Sequence, residues 1–90
     1  MSSSLNSSEL VPVTVPELDS RSRRVQLVQW LVDPGAAVHA GDRIAELLVA
    51  GVVFHLSSPA DGVISRVAIR AHSAVGIGDV LGWIKATHPD

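Results

Sequence analysis

The strongest constraint on this chain is that it repeats itself. Ala37-Val38-His39-Ala40-Gly41-Asp42-Arg43-Ile44 returns as Ala74-Val75-Gly76-Ile77-Gly78-Asp79-Val80-Leu81. The same shift pairs Leu27 with Ile64, Trp30 with Val67, Val32 with Ile69 and Leu47 with Ile84. Two copies of one supersecondary plan must therefore share a single core. The plan reads as an apolar strand, a loop, a short Ala-Val step, a Gly-Asp turn and a second apolar strand.

Turn chemistry marks the joints. Asp33-Pro34-Gly35 ends the first strand, because proline has no N–H to donate and glycine accepts positive φ. Gly41-Asp42 and Gly78-Asp79 play the same part before each second strand. Val25 to Val32 carries Leu27, Trp30 and Leu31 at a spacing a helix would also satisfy, but eight residues closed by Asp-Pro-Gly suit a strand better. The matched apolar positions in each half fall at i, i+3 and i+5, which predicts a β-bulge between the first two. Ile44 to Val49 and Val52 to Leu56 flank Ala50-Gly51 and predict a hairpin with its tip at Gly51.

Ninety residues supply one domain. Hydrophobic residues make up 47% and charged residues 18%, a balance that folds. With only 3% aromatic residues (Trp30, Phe54, Trp83), the core falls to Val, Ile, Leu and Ala, of which Val and Ile favour strands. Strands this short bury their faces by packing as two sheets, so the expected fold is all-β: a flattened barrel or sandwich with pseudo-two-fold symmetry. Leu27, Val32, Ile44, Leu47, Ile64, Val67, Ile69, Leu81 and Ile84 are its expected inward face. Residues 10–87 form the domain, Met1 to Glu9 a flexible serine-rich tail and 88–90 a short C-terminal end.

Several function classes are set aside. The chain has no cysteine, hence no disulfide framework, thiolate nucleophile or Cys-based metal centre, which favours a cytoplasmic setting. A net charge of −2 does not suit a nucleic-acid binder, and Arg21, Arg23 and Arg24 read as a solvated loop. The longest apolar run, Leu47 to Phe54, is far below the ~20 residues of a membrane span. The first residues lack the basic and apolar regions of a signal peptide.

Val15-Pro16-Glu17-Leu18, Trp30-Leu31-Val32-Asp33-Pro34-Gly35-Ala36-Ala37-Val38, Gly41-Asp42-Arg43-Ile44-Ala45-Glu46, Ser58-Pro59-Ala60-Asp61-Gly62-Val63-Ile64 and Gly78-Asp79-Val80-Leu81 together resemble the lipoyl/biotinyl domains, which carry a cofactor on a lysine. The resemblance runs from about Val11 to Ala86 and is nearest to lipoyl domains of 2-oxo acid dehydrogenase acyltransferases. It implies two four-stranded sheets in a flattened barrel, with the modified lysine at the tip of the central hairpin. That tip reads Asp-Lys-Ala in lipoyl domains and Met-Lys-Met in biotinyl ones; here it reads Ala50-Gly51-Val52. Amide attachment needs an exposed ε-amine on a mobile stem, which Gly51 lacks. The only lysine, Lys85, matches Leu48 in the repeat and is expected on a strand, facing outward at the end opposite the tip.

Other candidate groups favour structural roles. His39, His55, His72 and His88 show neither i, i+4 nor H-x-H spacing, so no metal site is expected. Asp42 and Asp79 each follow a turn glycine and should bond nearby backbone amides. Ser57 to Gly62 reads as the crossover between halves, and Trp30 and Trp83 as half-buried strand residues.

The resulting expectation is a non-catalytic, lipoyl-like module without a covalent cofactor. It would bind a protein partner, either a dehydrogenase-complex component or an enzyme that handles lipoyl domains. The surface would be Ala50 and Gly51 together with the loop Leu18 to Arg24, whose Arg21, Arg23 and Arg24 favour an acidic patch on the partner. The alternatives are a carrier domain in acyl or carboxyl transfer and a structural adaptor module.

Overall fold

A computed structural model describes residues 9–17 and 24–87. Eight strands follow in order: β1 (Leu10–Thr14), β2 (Val25–Trp30), β3 (Ala37–Val38), β4 (Arg43–Val49), β5 (Val52–Ser57), β6 (Gly62–Val67), β7 (Ala74–Val75) and β8 (Val80–Ala86). They form two four-stranded antiparallel sheets, β1-β8-β6-β3 and β5-β4-β2-β7. The repeat maps β2 onto β6, β3 onto β7 and β4 onto β8, and β1 pairs with β8 as β5 pairs with β4. Each sheet is thus a copy of the other.

The two-residue strands bind the halves together. β3 comes from the first half but pairs with β6, while β7 comes from the second and pairs with β2. Among the described residues no ladder joins the sheets, so the architecture is an open sandwich rather than a closed barrel. The expected tail lies outside the described residues except for Glu9, whose carbonyl accepts the Ala86 N–H at 2.8 Å. The C-terminal end, 88–90, also lies outside them.

Between the sheets lie Leu27, Ile44, Leu47, Ile64, Leu81 and Ile84, all fully buried. Each contributes about 1.5–3 kcal/mol relative to an exposed side chain. Val32, Val67 and Ile69 complete the expected inward set as partly buried residues packed on this core. The pairing register skips between Leu27 and Gln29 in β2 and between Ile64 and Arg66 in β6. These are the bulges that the apolar spacing required. The bulge lets Trp30 and Leu27 share a face although they are three residues apart.

The two Gly-Asp turns are built alike. Asp42 accepts the His39 N–H and Asp79 the Gly76 N–H, each at 2.8 Å, and Gly41 and Gly78 adopt φ of 91° and 88°. Both aspartates therefore serve the backbone, holding turns in which a residue with Cβ would be strained. The crossover loop is held both by its own groups and by the first Gly-Asp turn. Buried Ser58 donates its hydroxyl to the Ala60 carbonyl at 2.7 Å, and its N–H to Asp42 O at 2.8 Å.

Candidate functional site at the hairpin turn

β4 and β5 pair from Val49–Val52 down to Arg43–Ser57, which leaves Ala50 and Gly51 as a two-residue turn. Both have positive φ, 50° and 81°. This is the type I′ pattern, whose twist matches that of the strands it joins. Gly51 suits its position, whereas Ala50 holds a conformation that a side chain with Cβ normally avoids. Both residues are exposed. No atom lies within 4 Å of a Cβ built on Gly51, so a side chain there has room, and backbone strain is its only cost.

Beside the turn, on the sheet that contains β4 and β2, lies a groove of about 560 Å³. Its floor and walls include Gln26 of β2, Leu48 of β4 and Ala74 of β7, with Ala50 of the turn, His72 and Arg24 around them. The β6–β7 loop reaches the groove because the His72 N–H donates to Leu27 O at 2.5 Å and the Leu27 N–H donates to Ser73 O at 2.9 Å. Gln26 Nε2 adds a bond to His72 O at 3.1 Å. These bonds hold His72 at φ 69°, the second non-glycine residue with positive φ among those described.

Of the expected partner surface, Arg24, Ala50 and Gly51 come together at this groove. Arg21 and Arg23, with the rest of the loop from Leu18, lie outside the described residues. Lys85 stands exposed on β8, paired across the sheet with Leu10 and Val63. Two residues on, the Thr87 N–H donates to Asp61 O, and Asp61 Oδ1 accepts the Ala40 N–H. Next to Ala40, the Gly41 N–H donates to Ser58 O, beside the open end of the β4–β5 hairpin. Lys85 is therefore at the end of the sandwich away from the turn.

The histidines are dispersed. His55 Nε2 lies 3.2 Å from Glu46 Oε2, and the other oxygen of Glu46 accepts from Gln29 Nε2 at 2.8 Å. His39 Nδ1 is 4.0 Å from Asp61 Oδ1 on an exposed surface. His88 lies outside the described residues. Among the described residues no three His, Asp or Glu side chains converge as a metal site would need. Trp30 is half-buried and donates Nε1–H to Ile69 O at 3.1 Å. Trp83 stacks under Arg66, whose guanidinium carbon is 5.6 Å from the ring centroid.

The family model described as biotin-requiring enzyme, the biotin/lipoyl family, matches residues 11–84, which span all but the outermost strand ends. The chain belongs to the biotin/lipoyl domain family. A Bacillus subtilis relative, the dihydrolipoyllysine-residue succinyltransferase component of the 2-oxoglutarate dehydrogenase complex, is 29% identical over 75 residues. The aligned part is 83% of this chain and 18% of the relative, so the chain spans under a fifth of that protein's length. The solved lipoyl domain of the 2-oxoglutarate dehydrogenase complex from Azotobacter vinelandii has the same fold, with a TM-score of 0.68 at 24% identity. That likeness covers 82% of this chain and 94% of the other.

The turn is legible in the sequence; the groove is not. Gln26, Leu48 and the stretch His72 to Ala74 come from three separate segments, and no motif in the sequence joins them. One signal was present: the repeat sets Leu48 against Lys85 and Arg24 against Asp61, so the two halves differ in charge where their structures coincide.

Proposed function

We propose that this biotin/lipoyl domain acts as a binding module without a covalent cofactor of its own, using the hairpin-turn end as its protein-facing surface. The observation that carries this is the turn itself. It presents Ala50 and Gly51, neither of which has an amine, and the chain's sole lysine stands on a strand at the far end. Acylation of a lysine needs its ε-amine to reach an activated carboxyl group in another enzyme's active site. A two-residue turn projects such a group into solvent, whereas Lys85 lies along a sheet face between Leu10 and Val63. The partner belongs to a 2-oxo acid dehydrogenase-type assembly or handles lipoyl domains, a reading supported by the Bacillus relative's role as a component of such a complex. Arg24 at the turn end favours an acidic patch on that partner.

The competing reading is a carrier domain in acyl or carboxyl transfer, and it has the family's biotin-requiring description on its side. Intact mass separates the two. The protein purified from its own cells, and the recombinant protein incubated with lipoyl ligase, lipoate and ATP, should both show the unmodified mass. The double variant Ala50→Asp with Gly51→Lys should gain one lipoyl group, because it places an amine at the turn with no steric obstacle. The introduced lysine would sit at positive φ, a strain of about 1 kcal/mol that a folded domain of this size withstands. A lipoyl or biotinyl mass on Lys85 of the natural protein would overturn the proposal and establish the carrier reading.

A further inference from the structure

The repeat supplies an internal control for the groove beside the turn. At the opposite end, β3, the start of β6 and Thr87 form the matching groove, about 420 Å³ in volume. Ala74 corresponds to Ala37, Gln26 to Val63, Ala50 to Thr87 and Arg24 to Asp61. One backbone arrangement has therefore been furnished twice, with a cation on one rim and a carboxylate on the other. The turn-end groove also has Leu48 where the other half has Lys85, so an aliphatic side chain replaces a charged one. No carboxylate lines it among the described residues.

We infer that the turn-end groove is a binding site for a free aliphatic monocarboxylate, with the chain lying along Leu48, Ala74 and Ala50 and the carboxylate at the Arg24 guanidinium. Volume, lining and charge agree on this class. A groove of about 560 Å³ falls in the range that takes small organic ligands, and such sites combine an apolar lining with a few polar groups that fix orientation. Arginine offers a planar fork of donors matched to a carboxylate, and His72 also lines the groove. Among the described residues the two non-glycine ones at positive φ, Ala50 and His72, both line this groove. Strained backbone concentrates where a ligand surface is shaped, and it coincides here with the larger, cationic groove. The inference does not depend on whether the domain carries a covalent cofactor.

Octanoate is the probe, with n-octylamine as a chain of equal length and opposite charge, added to the 15N-labelled full chain. Octanoate should give saturable amide shifts at Gln26, Leu48 and Ala74 and none at Ala37, Val38 and Val63, while octylamine should give no saturable shifts at either end. Arg24→Gln should weaken octanoate binding at least fivefold, and Arg24→Lys less than that. Arg24 is exposed, so neither change threatens the fold. Ala74→Leu, which fills the groove from an exposed position, should abolish binding by itself. Absence of saturable shifts, equal response to octylamine, equal shifts at both ends, or indifference to Arg24→Gln would each overturn the inference. An acidic peptide that shifts these amides where octanoate does not would overturn it as well, in favour of a peptide surface.

Discussion

Val25 and Gly62 occupy the same place in the two halves, at the start of β2 and of β6. Val25 is buried in the core, but a Cβ on Gly62 would overlap the Lys85 carbonyl oxygen and lie 2.9 Å from the Ala86 Cα. The same inequality recurs at the bulges. Gly82 has 3.0 Å between its would-be Cβ and the Trp30 ring, while Trp30 and Gly82 correspond to Val67 and Ala45 in the repeat. A large side chain from one half meets a glycine of the other, whereas the equivalent positions hold a medium and a small side chain, Val67 and Ala45. Symmetry is thus a property of the backbone pairing, and individual side chains diverge within it. At the surface, where volume is not constrained, the divergence is chemical: Arg24 against Asp61, Leu48 against Lys85, and the Gln29–Glu46 pair against Arg66–Trp83.

The comparison is broken most severely by imposing one half on the other. Gly62→Val gives β6 the residue that β2 has, and it should cost more than about 3 kcal/mol through backbone overlap, against no cost if the halves were interchangeable. Urea denaturation measures the difference, and a variant as stable as the parent would show that β6 lies farther from β8 than described. A smaller effect tests where the symmetry should hold. Asp42→Ala and Asp79→Ala each remove one side-chain bond to a turn amide, so each should lose about 1 kcal/mol, with the two losses closely matched. Markedly unequal losses in the same denaturation series would mean that the two turns are not equivalent. The least effect concerns the β4–β5 turn. Ala50→Asn replaces a strained residue with one that tolerates positive φ beside Gly51, and it should raise stability by about 0.5–1 kcal/mol, seen as a higher thermal midpoint. No gain would contradict the type I′ assignment.

Much of this architecture was legible because its determinants are local or periodic. The i, i+3, i+5 spacing of Leu27, Trp30 and Val32 and of its copy is what a bulged strand requires, and both bulges lie where that spacing placed them. Likewise, two β-prone runs around Ala50-Gly51 leave a chain few choices besides a tight hairpin. The strand from Val25 ends at Trp30 rather than Val32, because the Asp33-Pro34-Gly35 stop takes effect two residues early and Leu31 and Val32 already bend.

By itself, then, the sequence determined the number of halves, the strands with their inward faces, the turn without a lysine and the membership of the biotin/lipoyl family. Those follow from periodicity, turn residues and repetition, which act over a few residues at a time. Tertiary structure alone decided that β3 and β7 pair in the sheet of the opposite half, that the sandwich stays open, and that Gly62 and Gly82 must lack side chains. It also decided which residues meet at the turn. Arg24, Leu48 and the stretch His72 to Ala74 are distant in the chain and become neighbours only through pairing between strands, such as the exchange between Leu27 and the His72-Ser73 backbone. Long-range pairing depends on which faces can be buried together, and no local pattern of residues encodes that.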